Sequence, residues 1–107
     1  MQLAAIASNG DLSGSVSTVP IDAGTPRALG IACAETTCRV IVTVEAEGRG
    51  ELYGFEWRPS GSARPVRLSG LGSPGAAAVA PILRGNAAYV GDERDGQGLV
   101  RRLSLEW

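Results

Sequence analysis

Cys33 and Cys38 are the only thiols of the chain, and the interval Cys33-Ala34-Glu35-Thr36-Thr37-Cys38 lies between two apolar runs. A hairpin turn at this interval brings the two thiols opposite each other. The pair then reads as a disulfide staple between neighbouring strands, with two reduced core thiols as the alternative and redox or metal chemistry as a third. Cys-x4-Cys is not the Cys-x-x-Cys of thioredoxin-like proteins, and no helix N-terminus is apparent that would lower a thiol pKa. An oxidised pair implies a secreted, periplasmic or cell-surface setting, because cytosolic thiols are kept reduced. Carboxylates are the other candidates for chemistry. Glu56 and Glu106 occupy matching Glu-Trp pairs and are the candidates for glycosidic acid/base work. Outward-facing charges on alternating strands account for them more simply. Glu45, Glu47 and Glu51 surround one Gly-x-Gly, and Asp92, Glu93 and Asp95 surround another. Calcium favours oxygen-rich turns, yet this spacing lacks an alternating Asp ladder and places Arg94 where a ligand is wanted. Solvated hairpin tips are the simpler reading.

The remaining chemistry is excluded by composition. The sequence contains no His and no Lys, so all ten basic residues are Arg. A Ser-His-Asp triad, a Cys-His pair, a His-ligated metal and a Schiff-base lysine are therefore out of reach. No catalytic residue, metal ligand or cofactor is assigned. A formal net charge of -1 gives no cationic surplus for nucleic acid or anionic lipid. Arg101-Arg102 and Arg64-Pro65-Val66-Arg67 are the densest positive clusters. Arginine can clamp carboxylates, but neighbouring residues of a strand point to opposite faces, so these clusters read as a soluble rim. An Arg-only, Ala/Gly-heavy chain matches the coding preference of a GC-rich, bacterial genome.

The elements that must position these residues are short. At 107 residues, the chain fits one domain, read as a single all-β unit over 1–107. Hydrophobic residues make up 44% but aromatic residues only 5%, so the core rests on Val, Leu and Ala and needs closely approaching backbones. Fifteen Gly and six Pro interrupt Val-, Ile- and Leu-rich runs too short for helices. The longest charge-free interior stretch is broken by Gly and Pro, so no membrane-spanning helix is expected. Met1 to Ser8 lacks a basic n-region and reads as no secretory signal, so export would require one beyond this sequence.

An internal repeat organises the strands. Gly24-Thr25-Pro26-Arg27-Ala28-Leu29-Gly30-Ile31-Ala32 returns 48 residues later as Gly72-Ser73-Pro74-Gly75-Ala76-Ala77-Ala78-Val79-Ala80. At the same offset Val42 maps onto Val90, and Gly48-Arg49-Gly50 onto Gly96-Gln97-Gly98. Tyr53, Phe55 and Trp57 map onto Leu103, Leu105 and Trp107 at offset 50. The reading places repeat 1 at about 19–65 and repeat 2 at about 66–107, with 1–18 a partial preceding unit. Arg27 to Ala34 and Ala76 to Leu83 are expected as innermost strands, buried on both faces. Cys38 to Glu45 and Asn86 to Asp92 follow, then Gly-x-Gly hairpins, then Glu51 to Arg58 and Gly98 to Trp107. Ser15 to Ile21 and Arg64 to Leu68 are expected as outer strands.

A duplicated unit of 47 to 50 residues built from short strands resembles the β-propeller repeat superfamily. The Gly-His and Trp-Asp marks of WD40 blades and the Gly-Gly pair of kelch blades are absent, so the likeness is one of architecture. Small fucose-binding lectins that assemble propellers from two-blade chains are similar in length and repeat number. The resemblance implies antiparallel sheets arranged as about two blades, part of a larger or oligomeric propeller. Two blades do not close a ring, so a further polypeptide or copies of the chain are expected to complete it, the alternative being a self-contained two-sheet sandwich. Leu103, Leu105 and Trp107 are the residues expected at that interface. The expected function is that of a non-catalytic module serving protein or glycan binding, the alternative being a structural piece of a propeller enzyme whose catalytic residues lie on another chain.

Overall fold

A computed structural model of the chain describes residues 1–3, 17–59 and 62–105. The described residues form nine strands, and no α-helix appears among them. Strand β1 (Gln2–Leu3) pairs with β2 (Ser17–Thr18). A four-stranded antiparallel meander follows, in the order β3 (Thr25–Ala34), β4 (Thr37–Ala46), β5 (Arg49–Trp57) and β6 (Val66–Gly70). The third sheet is the meander β7 (Ile82–Arg84), β8 (Ala87–Arg94) and β9 (Gln97–Ser104).

β4 shows why the sheets stack. Cys38, Val40, Val42 and Val44 point to one face, here called the front, where they join Phe55, Trp57 and Val19 in one core. Ile41 points to the back and joins Leu52, Ala88, Val90 and Leu105 in a second core. A strand apolar on both faces must be the middle of a sandwich. β1–β2 and the segment through Val19 cover part of its front, and β7–β9 cover its back. Among the described residues the sheets thus form three layers around two cores.

Turn chemistry sets the registers. Glu47-Gly48 and Asp95-Gly96 form two-residue loops with positive φ at both positions, the backbone of a type I′ hairpin. The second glycine of each Gly-x-Gly already lies on the next strand.

Ladder registers relate the two larger meanders at an offset of 48, in an alignment that differs from the one read in sequence. Gly24 packs on the carbonyl of Glu45, and Gly72 on that of Glu93, each without room for a Cβ. Cys38 pairs with Trp57, and Val42 with Tyr53; 48 residues on, Val90 pairs with Arg101. Phe55 therefore corresponds to Leu103, and Trp57 to Leu105, rather than to residues two further along. On the first strand the offset grows, because Ile31 pairs with Val40 while Leu83 pairs with Ala88.

The cause is the segment expected as a second inner strand. Pro74–Ala78 is a 3₁₀ turn, started by Ser73, whose Oγ accepts from Gly75 N at 3.2 Å, with a proline at its start. Pro81 then offers no N–H to a ladder. Only Ile82–Arg84 remains as strand. The first inner strand also departs from expectation: Leu29 and Ile31 are 42% and 46% exposed.

Candidate interaction surface

The two larger sheets, β3–β6 and β7–β9, meet in one contact. Its centre is apolar, with Ile41 and Leu52 on the back of the first sheet meeting Ala88, Val90 and Leu105, flanked by Leu83 and Leu103. Polar latches hold its margins. The Thr43 hydroxyl donates to the carbonyl of Ala77 on the 3₁₀ turn and accepts from Ala28 N at 3.0 Å. Arg39 Nη1 donates to Asn86 Oδ1 at 2.8 Å.

The strongest latch is centred on Asp92 and Arg101. Arg101 Nη1 lies 3.1 Å from Asp92 Oδ2 and donates to Gly70 O at 2.7 Å, while Nη2 donates to Ser69 Oγ at 2.7 Å. Asp92 Oδ1 accepts from Gly72 N at 2.8 Å and Glu93 N at 2.7 Å. Burial pushes the Asp92 carboxyl up, but the N–H groups of Glu93 and Gly72 and the Arg101 guanidinium outweigh it, holding the pKa below the usual carboxylate range. One ion pair thus ties the end of β6 and the linker after it to β7–β9. Sequence reasoning read Arg101 as rim and Asp92 as hairpin tip. The clue available was that β8 places Asp92 two residues beyond Val90, on the inward face.

Each residue singled out in the sequence has a definite place. Cys33 and Cys38 are joined by a disulfide, with Cα atoms 4.0 Å apart, across paired positions of β3 and β4. Leu103 and Leu105 do not form a free interface row. They face the first sheet of the same chain, and Leu105 is buried there. The strand-three row of each sheet looks backward along the chain, as Phe55 and Trp57 do toward Val19. Trp107 and Glu106 lie outside the described residues. Glu56 is exposed, 3.9 Å from Arg39. Glu51 accepts from Arg67 at 3.0 Å and from the Tyr53 hydroxyl at 3.2 Å. The Arg67 hydrogen bond lowers the Glu51 pKa, and burial together with Glu51 raises that of Tyr53. Among the described residues no three His, Cys, Asp or Glu side chains converge as a metal site. No helix among them is long and apolar enough to cross a membrane.

Among the described residues, part of the back of β7–β9 is exposed, although Val79 lies over Gly91 on that face. Ile41 and Leu52, on the back of the first sheet, are fully buried. Their counterparts 48 residues on are Tyr89, 37% exposed, and Val100, 73% exposed. A Cβ at Gly50 would meet Leu71 Cδ1 at 2.9 Å and Ser73 O at 3.1 Å, so the linker to the next sheet lies directly on it. At its counterpart Gly98 the same position is open. Ile82, paired with Tyr89, adds a third exposed apolar side chain at 63%. Comparison with family models, with curated proteins and with solved structures gives no match.

Proposed function

We propose that the chain is a non-catalytic stacking module that completes a larger propeller-like assembly with another polypeptide or with copies of itself, and that the assembled surface serves protein or glycan binding. The observation that carries the reading is the pair of unequal exposures at equal positions. Ile41 and Leu52 lie under a following sheet, whereas Tyr89 and Val100 lie in water. Soluble proteins seldom keep a large apolar patch uncovered, and at Tyr89 and Val100 this face repeats two positions that are buried in the first meander, with Arg102 standing where Gly54 stands. Disulfide formation between Cys33 and Cys38 favours an oxidising setting, outside the cytosol.

Native mass spectrometry of protein from its own source tests the reading. Masses above 11.0 kDa, either multiples of the chain or the chain with a second polypeptide, are expected. A single 11.0 kDa species at every concentration, with nothing copurifying, overturns it.

A further inference from the structure

We infer that the free edge of β9 takes an extended segment of a partner polypeptide as a fourth, antiparallel strand, with an apolar side chain opposite Val100 and a carboxylate opposite Arg102. The inference concerns the edge of the sheet rather than its back face, and it does not rest on the stacking reading.

The backbone shows which groups are unmet. Leu105 N donates to Asn86 O at 2.7 Å. Bonded and non-bonded pairs alternate along an antiparallel ladder, so Leu103, Arg101, Leu99 and Gln97 also turn their N–H and C=O groups toward β8. Those of Gly98, Val100 and Arg102 point the other way, to the edge. Their counterparts 48 residues earlier are Gly50, Leu52 and Gly54. Gly50 O accepts from Leu71 N at 2.8 Å, and Leu52 and Gly54 pair with Ser69 and Val66 of β6. Among the described residues no strand pairs with β9 on this side. The slot is also open, since Val100 is 73% exposed and a Cβ at Gly98 would meet nothing within 4 Å.

The other edges of the two larger sheets carry features that discourage a new strand. Pro26 and a register shift interrupt β3, Pro65 precedes a β6 that carries a register shift, and β7 is only 3 residues long behind Pro81. β9 runs 8 residues without proline, and its ladder with β8 is unbroken.

The first meander favours a single strand over a second sheet as occupant. It has four strands where the second has three. Arg101 reaches from β9 to Ser69 Oγ and Gly70 O at the end of β6, so the extra strand lies along the empty side of β9. One extended segment fits beside it, whereas the β9 edge of a second copy would bring that copy's own first meander against β6. Side chains set the segment's character. Val100 and Arg102 share the back face; Arg102 makes one long hydrogen bond, to Ser104 Oγ at 3.4 Å, and among the described residues it meets no carboxylate. Backbone pairing supplies the affinity in such strand addition, and alternate side chains supply the selectivity.

Amide exchange followed by NMR tests this with the acetylated, amidated peptide Thr-Glu-Thr-Val-Thr-Val-Thr, whose Glu falls opposite Arg102 and whose first Val falls opposite Val100. Exchange at Gly98, Val100 and Arg102 is expected to slow by about tenfold or more at saturating peptide, with Leu99 and Arg101, already bonded to β8, little changed. Methylating the N–H of the first Val, which faces β9, is expected to abolish binding, whereas methylating that of the Thr before it, which points away, leaves binding intact. No slowing at the three amides, or equal binding by both methylated peptides, overturns the inference. Arg102→Glu is expected to weaken binding about two- to fivefold, with recovery when the peptide carries Lys in place of Glu, and unchanged affinity overturns the carboxylate assignment. Concentration-dependent protection of the same amides in the protein alone means that a second copy holds the edge, and it also overturns the inference. Peptide binding as expected by a protein that stays at 11.0 kDa in native mass spectrometry upholds this inference and removes the stacking reading.

Discussion

Asp92 and Arg101 meet diagonally across β8 and β9, Oδ2 to Nη1 at 3.1 Å, and between them they collect two backbone N–H groups, a carbonyl and a hydroxyl. The carboxylate is almost wholly buried while the guanidinium keeps about a quarter of its surface, so removing one partner strands the other in a poorly hydrated site. Asp92→Asn and Arg101→Gln are each expected to lower stability by about 1–3 kcal/mol. Urea unfolding checks this, and the double variant is expected to lose less than the two single losses combined.

Acidification acts through the same carboxylate. Asp92 is held below the usual carboxylate range in the fold, so the unfolded chain binds its proton first as pH falls. The contribution is complete above about pH 4 to 5 and is lost as pH drops through the depressed folded value. Glu51, lowered chiefly by the Arg67 hydrogen bond, titrates in the same direction at a more exposed, salt-screened position. Thermal melting between pH 2 and 7 is expected to show stability falling on the acid side, with a shallower fall in Asp92→Asn.

Reducing the Cys33–Cys38 bond opens a loop of sequence separation 5. So small a loop restricts the unfolded chain modestly, and the loss is about 2 kcal/mol on a loop-entropy basis. Urea titration with and without reductant measures it, and thiol titration of unreduced native protein is expected to find no free thiol.

The paired glycines give a sharper comparison. Gly50→Ala pushes a methyl into Leu71 and the Ser73 carbonyl and is expected to cost about 1–2 kcal/mol, because that linker is pinned by the Asp92 latch. Gly98→Ala meets nothing within 4 Å and is expected to leave the stability of the isolated chain within about 0.5 kcal/mol of its original value. Equal losses at both positions in urea unfolding would show that Gly98 is covered within the chain.

How much of this was legible in the sequence depends on whether a face or a distance was being read. Alternation of Val40, Val42 and Val44, the hairpins at the Gly-x-Gly sites and the Cys33–Cys38 interval all act locally, and each shows in the strand pattern, with the turns set one residue earlier at Glu47-Gly48 and Asp95-Gly96. The repeat likewise gave the correspondence of Val42 with Val90. What the residues hid was the direction of stacking. Tyr53, Phe55 and Trp57 sit on one face, but alternation cannot say whether that face looks forward or backward along the chain. The expectation that Leu103 and Leu105 face outward followed from choosing wrongly. Pro81 fell inside the strand expected over Ala76 to Leu83, although Ser73-Pro74 just before it starts a capped turn and Pro81 ends the ladder. The Asp92–Arg101 pair was unreadable because it spans an offset of nine residues and depends on which face β9 presents.

The order of strands also carries a kinetic meaning. Within β3–β6 and within β7–β9, every ladder joins strands that are neighbours in sequence. Loop closure between such neighbours is inexpensive, so each meander forms from local contacts and needs no distant partner to begin. The two also depend on each other: Ile41 and Leu52 of the first and Ala88, Val90 and Leu105 of the second share one core, so each meander completes its burial only by docking on the other.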